Sequence, residues 1–266
     1  QQVGRWVTGG IPAGSRPEPV HPVPDQVASP WTIILRSFSG HPLYRDPMNE
    51  NRILGSLLGL AVGDALGTTV EFQARDSFPP VTDMVGGGVF NLAPGQWTDD
   101  TSMALCIAAS LIETGAYDPR DQLARFVRWY RDGYLSSTGR CFDIGNQTRA
   151  ALEEFEATGE PYRESVGGMS AGNGSLMRLA PVAMAFCDDP EAAGRFSADS
   201  SRTTHPAVEC VEACGAYGRL RSGSLTATWR GVGVHDADIN PAPTLRAETE
   251  PWNSNDSRWA PRRRDR

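Results

Sequence analysis

The sequence predicts an all-α fold for its central part, residues 48–217, and three observations support this. Apolar residues recur there at helical spacing, the segments with this spacing begin and end at residues that favour helix ends, and strand-like alternation is scarce. Residues 1–47 are rich in Pro and Gly and lack periodic apolar positions, so we predict that they are disordered. Residues 218–266 also lack a period, and we predict an irregular tail there.

The first predicted helix, residues 51–67, carries a glycine at every fourth position of one face. Each glycine costs roughly 1 kcal/mol of helix propensity relative to alanine, so we expect close packing of another helix or of a ligand to offset the cost. Core packing is the simpler explanation for Gly55 and Gly59. Asp64 and Glu71 lie toward the end of this helix, where a site would open, although Asp64 also fits a helix cap or a surface charge.

Three later segments also have helical spacing. The segment 118–133 begins with Asp-Pro, which supplies an N-cap and a first helical residue, and it ends at a glycine. The segment 148–159 has a second apolar stripe, which a glycine again closes. A third helix is predicted to start at Pro206 and to end near Tyr217.

Two adjacent acids lie between two hydroxyl residues, directly before an apolar helix: Thr98, Asp99, Asp100 and Thr101. These residue types favour a helix N-terminus, where they cap free amides and where the helix dipole favours anions. One cap needs only one such residue, however, and adjacent carboxylates repel each other unless they share a cation. Because Mg²⁺ prefers oxygen ligands from carboxylates, hydroxyls and water, a metal site is the alternative interpretation.

A second cluster of candidate site residues is a glycine-containing loop: Gly172, Asn173, Gly174 and Ser175. Glycines let backbone amides approach a ligand closely, and the N-terminus of a following helix would offer N–H groups to phosphate oxygens. An ordinary Asn-Gly turn fits the same residues. Arg178 fits either a structural ion pair or a ligand contact. His205 fits either a helix N-terminal residue bonded to the core or a ligand contact.

Several motifs in order along the chain resemble those of the ADP-ribosylglycohydrolase family. The resemblance covers roughly residues 50–217, and its strength lies in the number of motifs, because any one alone would be weak. The run 95–105 is similar to the family signature, and 134–145 is similar to a bacterial branch. The other matching stretches are 63–67 with Glu71, 170–178 and 204–206.

The resemblance implies an orthogonal multi-helix bundle that hydrolyses the glycosidic bond between ADP-ribose and a protein or small-molecule acceptor, with two Mg²⁺ ions. It implies that Thr98, Asp99 and Asp100 bind Mg²⁺, and that Glu71, Asp99 and Asp100 act in catalysis. It implies that the loop 172–175 and His205 bind ADP-ribose.

The C-terminal part departs from the family pattern. The family's last metal motif, Asp-x-Asp-Thr, has only Asp236 and Asp238 as candidates for metal ligands, with Ile239 in place of the Thr and prolines close behind. We interpret this as an internal loss or a frame change after about Tyr217, and we expect Met48 to be the natural start. A non-catalytic ADP-ribose-binding or crystallin-like structural relative, or an inactive fragment, is therefore the alternative to an enzyme.

Composition excludes other classes of function. The net charge of −7 argues against nucleic-acid binding, because proteins that bind phosphate backbones normally carry a basic excess. We find no run of about 20 apolar residues and predict no membrane span. The five cysteines lack the paired spacing of a zinc site and fit the reduced thiols of a cytoplasmic protein. We expect that protein to be a monomer.

Overall fold

The computed structural model describes residues 47–163 and 171–226. Within these ranges the secondary structure is helical, apart from one isolated bridge between Gly87 and Leu92, and the prediction of an all-α fold is confirmed. Two short 3-10 helices lie at Thr68–Val70 and Asn173–Ser175. The α-helices of this part of the chain are α1 Pro47–Gly67, α2 Asp99–Thr114, α3 Pro119–Asp132, α4 Asn146–Thr158, α5 Ala180–Ala185, α6 Pro190–Arg202 and α7 Val208–Thr226.

The ends of α3 and α4 follow from local sequence. The Asp118 carboxylate accepts hydrogen bonds from the backbone N–H groups of Arg120 and Asp121 at the start of α3. Gly133 ends α3 and Gly159 ends α4, each with φ near +70°, a backbone conformation that glycine adopts without steric cost. Both predicted helices are confirmed.

The main core forms around α2, which packs against α3 and α5. Met103 and Ile107 of α2 are fully buried, as are Phe126 of α3, Leu152 of α4 and Val182 of α5. Because α2 contributes almost no exposed side chain after its first turn, it is the central element of the described fold. Whatever lies at its N-terminus is therefore held by the best-packed part of the molecule.

Helix α7 is longer than the sequence suggested. It begins at Val208 rather than Pro206 and continues to Thr226, so the prediction that helical order ends near Tyr217 is wrong. The reason is that its buried face is built from small side chains that give no apolar stripe. Gly218 shows this best, since a Cβ there would lie 2.5 Å from the backbone oxygen of Ala193 on α6.

The glycine face of α1 is not packed against any other part of the described chain. A Cβ added at Gly55 or Gly59 would meet no atom within 4 Å in these ranges, so the prediction that core packing explains both glycines is wrong. Leu58 and Val62 lie on the same face, each 45% exposed. The opposite face of α1 packs in the core through residues such as Leu57.

One helix, Asn51–Val70, is long and apolar enough to cross a membrane by length and composition alone, with a mean hydropathy of 1.6. The segment meets these criteria although Arg52 and Asp64 interrupt its apolar run, and the absence of a membrane span stays a prediction. Core helices of globular proteins can pass the same test, and Asp64 is hydrogen-bonded within the protein. The predictions for residues 1–46 and 227–266, Asp236 and Asp238 among them, lie outside the described residues.

Candidate functional site

The carboxylate of Asp64 joins the end of α1 to the start of α2. It accepts hydrogen bonds from the backbone N–H groups of Thr98 and Thr101 at 3.0 Å, and from the hydroxyls of the same two residues at 2.8 and 2.6 Å. Thr98 itself makes no side-chain cap at this helix end. Of the interpretations that we left open for Asp64, the structure shows a cap, but one supplied to a neighbouring helix.

The two acids that follow are held on the first turn of α2. Asp99 is buried, and burial, followed by the nearby charges of Asp100 and Asp143, raises its pKa to about 9. Burial also raises the pKa of Asp100 to about 6, with further contributions from Asp64 and Glu71. Carboxyl groups with elevated pKa values are characteristic of sites where a cation or a proton is exchanged.

Glu71 and Asp143 complete this acidic cluster. Burial raises the pKa of both carboxyl groups, that of Asp143 to about 7, and the nearby charge of Glu71 contributes to the increase at Asp143. The Thr68 hydroxyl also donates to Glu71, at 3.4 Å. We did not predict a role for Asp143 from the sequence. The available signal was its place in the stretch 134–145, which resembles a bacterial branch of the family.

The donor chemistry of the cluster partly fits a magnesium site. The Thr98 hydroxyl donates its hydrogen to Asp64, which leaves its oxygen lone pairs free to face a cation beside Asp99 and Asp100. Within the described residues, however, no three His, Cys, Asp or Glu side chains are grouped closely enough to hold a metal ion. These residues therefore fit one part of a metal site with hydroxyl and water ligands.

The structure brings His205 against the glycine loop. A Cβ at Gly174 would lie 2.7 Å from Cε1 of His205, so only glycine leaves room for the ring. Burial, followed by the charges of Arg178 and Arg163, lowers the pKa of His205 to about 4. The ring is therefore neutral at pH 7, and its Nδ1 is hydrogen-bonded to the Thr204 hydroxyl at 2.8 Å.

The loop differs from the predicted one in its backbone. It forms a 3-10 turn over Asn173–Ser175, and the next α-helix starts only at Ala180, so the helix that we expected to follow the loop does not begin directly behind it. The Ser175 hydroxyl points into the core, 2.8 Å from that of Ser201. A cavity of about 270 Å³ lies between the loop and Cys210 at the start of α7.

Arg178 holds the loop in place through hydrogen bonds. Its guanidinium is fully buried and donates to the backbone oxygen of Ser200 at 2.8 Å and to the Thr204 hydroxyl at 2.9 Å. It also reaches the backbone oxygen of Gly174 at 3.4 Å and lies over the Phe126 ring. Arg178 is therefore a structural residue that fixes the loop through hydrogen bonds, rather than the ion-pair partner we considered.

Comparison with known proteins extends this description. The family model of ADP-ribosylglycohydrolase matches residues 45–251. The chain is 49% identical over 164 residues to the ADP-ribosylarginine hydrolase Tri1 of Pseudomonas putida (strain GB-1), covering 62% of this chain and 44% of that protein. It is 36% identical over 181 residues to the ADP-ribosyl-[dinitrogen reductase] glycohydrolase of Rhodospirillum rubrum, covering 65% and 58%.

A solved structure agrees with these relatives. The chain matches an ADP-ribosylglycohydrolase-related protein complex with a TM-score of 0.59 and 45% identity, covering 68% of this chain and 58% of that one. The chain thus spans about half the length of the curated relatives it matches. The family model covers most of the sequence, and the fold and motifs agree with it. The chain belongs to the ADP-ribosylglycohydrolase family.

Proposed function

We propose that this chain carries the ADP-ribose-binding loop and part of the metal site of a cytoplasmic, magnesium-dependent hydrolase that releases ADP-ribose from modified arginine side chains of proteins. The observation that carries the proposal is the acidic cluster at the N-terminus of α2. The name of the Pseudomonas putida relative, an ADP-ribosylarginine hydrolase, supports arginine as the acceptor. The members of the cluster are Asp64, Glu71, Asp99, Asp100 and Asp143.

Thr98, Asp99 and Asp100 would hold Mg²⁺, because they supply hard oxygen donors on a rigid helix end. Their carboxyl groups have raised pKa values through burial and mutual repulsion, and a divalent cation would favour the ionised forms. When bound, the ion would supply Lewis acidity and orient hydroxyl groups of the ribose. A second ion would need ligands beyond the described residues, for which Asp236 and Asp238 are the sequence candidates.

The protein's own residues would divide the remaining work. Asp143, with a pKa of about 7, is suited to accept a proton from an attacking water near neutral pH, whereas Asp100 would be occupied by the ion. The charge of Glu71 would help to keep the pKa of Asp143 raised. The backbone of the loop 172–175 would face the diphosphate, and the neutral His205 ring would position the loop.

The test is hydrolysis of ADP-ribosylarginine by the full chain, measured as release of ADP-ribose with Mg²⁺ and with EDTA. We expect turnover only with Mg²⁺, and a loss of at least about 100-fold in kcat for Asp99→Asn. Asp76→Asn makes the same chemical change at a fully exposed carboxylate and should keep wild-type activity. Equal turnover in EDTA, or equal activity of the two variants, would contradict the proposal.

A non-catalytic ADP-ribose-binding protein is the second candidate. The observation that favours it is that the described carboxylates alone do not group as a metal site. Calorimetric titration of the full chain with ADP-ribose separates the two candidates. Binding without turnover on any ADP-ribosylated arginine substrate would support the binding protein, whereas binding with magnesium-dependent turnover supports the hydrolase.

A further inference from the structure

Three aromatic side chains form a rim beside the acidic cluster: Phe72, Phe90 and Phe142. The Phe90 ring lies edge-on to Phe72, with ring centroids 6.4 Å apart, and tilted against Phe142 at 5.4 Å. Phe72 is 78% exposed, more than any other large apolar side chain in the described ranges. We call these three residues the aromatic rim.

The backbone places the rim directly against the acids. Phe72 follows Glu71 in the chain and Phe142 precedes Asp143, so the contacts of the Phe90 ring with both aromatic rings hold these two acids near each other. Phe90 lies at the tip of a tight turn closed by hydrogen bonds in both directions between Gly87 and Leu92. That turn packs on the 3-10 helix that follows α1, since a Cβ at its Gly88 would lie 2.5 Å from the Thr68 backbone oxygen.

The backbone in and next to the aromatic rim adopts unfavourable left-handed conformations. Phe72 has φ +61°, a left-handed conformation that a bulky side chain rarely adopts, and Asn91 and Asp143, which follow Phe90 and Phe142 in the chain, have φ +52° and +57°. Strained backbone of this kind is enriched at functional sites. Burial does not offset the strain at Phe72, because its ring remains largely exposed to solvent.

A cavity of about 200 Å³ opens next to the rim. Phe90 and Phe142 form its apolar wall, and Arg140 and Gln96 add polar groups. An exposed apolar surface beside a cavity with both apolar and polar walls suits a polypeptide, which offers apolar, polar and charged groups at once. A free guanidine compound would reach the acids and leave most of this surface uncovered.

We propose that the aromatic rim docks the polypeptide around the modified arginine of the substrate protein. The inference rests on the proposed function, because it assigns the acceptor side of the same site. Guanidinium groups are attracted to carboxylates and to the faces of aromatic rings, and the rim offers rings next to Glu71 and Asp143. The modified side chain enters between the rim and the acids, while flanking residues cover Phe72 and the cavity.

Phe72→Asn is the most direct test, since it removes the ring and suits the left-handed backbone. The full chain is assayed on two substrates, an ADP-ribosylated protein modified on arginine and free ADP-ribosylarginine. We expect kcat/KM for the protein substrate to fall at least about 10-fold more than that for the small substrate, mainly through KM. Leu220→Asn, an equivalent change at a 70% exposed side chain of α7, should leave both substrates unaffected.

The outcomes separate this inference from the proposed function. Equal effects of Phe72→Asn on both substrates, or none on either, would overturn it. A marked fall in melting temperature would overturn it as well, because it would mean that another segment packs on Phe72. If the wild-type chain hydrolyses neither substrate, the proposed function fails, and fluorescence anisotropy of a labelled ADP-ribosylated arginine peptide tests the rim separately. Weaker peptide binding by Phe72→Asn, with unchanged affinity for ADP-ribose, would then support docking.

Discussion

Because Asp64 caps α2, we predict that the variant Asp64→Asn is less stable than the wild-type protein. The carboxylate accepts from two backbone N–H groups and two hydroxyls of Thr98 and Thr101, both of which are buried. An amide offers only one oxygen, and its NH₂ group would face a backbone N–H, so that one buried donor loses its acceptor. The hydroxyls can rotate to accept from the amide, but the N–H groups cannot.

The expected change in the free energy of unfolding is the sum of two opposing contributions. Losing the charge-assisted bonds and leaving one buried N–H unpaired should cost about 3 kcal/mol. Removing one negative charge from beside Asp100 and Glu71 should stabilise the folded state by about 1 kcal/mol, since Asp64 raises the pKa of both. The hydrogen-bond term is larger, and we expect a net loss of about 2 kcal/mol in the free energy of unfolding. For a protein of this size that lowers the melting temperature by roughly 4–8 °C.

Urea denaturation followed by circular dichroism at 222 nm measures this change. Asp76→Asn is the matched control, because Asp76 is 92% exposed and its only described ion pair is with its neighbour Arg75 at 3.8 Å. We expect that control to unfold at the wild-type urea concentration. An Asp64→Asn protein that unfolds together with the control would refute the reasoning that this carboxylate caps α2.

Two further predictions concern stability. The pKa of His205 is lowered from 6.5 to about 4 in the folded state, so the stability it contributes is present above pH 6.5 and lost as pH falls toward 4. Wild-type protein should therefore lose stability relative to His205→Gln over that range in urea titrations, and a constant difference would contradict it. Gly59→Ala should raise the free energy of unfolding by up to about 1 kcal/mol, because its Cβ meets no described atom, whereas Gly218→Ala should lower it. Thermal unfolding of both variants checks this, and destabilisation by Gly59→Ala would show that another segment packs on α1.

Local sequence was sufficient where the determinants of structure are neighbours in the chain. The start of α3 depends on Asp118 and the proline after it, and the ends of α3 and α4 depend on one glycine each. Those boundaries were predicted to within one or two residues. Capping hydrogen bonds span two or three positions, so they can be seen in the sequence without any knowledge of the fold.

Tertiary contacts decided the features that the sequence did not reveal. In the second half of α7, Gly218 packs on α6 and Ser222 is buried, and small residues of this kind give no apolar period to detect. The candidate site shows the same division. The acids of α2 were identifiable as a motif, but the partners Asp64 and Asp143 lie 35 or more positions away from Asp99 along the chain, and only the folded chain shows that they meet.

The bond between Asp64 and Thr98 spans 34 residues of chain, and this separation couples site assembly to folding. An α2 helix formed early would have unsatisfied amides at its first turn until the end of α1 arrives. The acidic site therefore forms only when α1 docks on α2. A partly folded chain, however helical, would not present the cluster that we propose to bind a cation, so binding at that cluster should report directly on the fraction of molecules that have reached the native state.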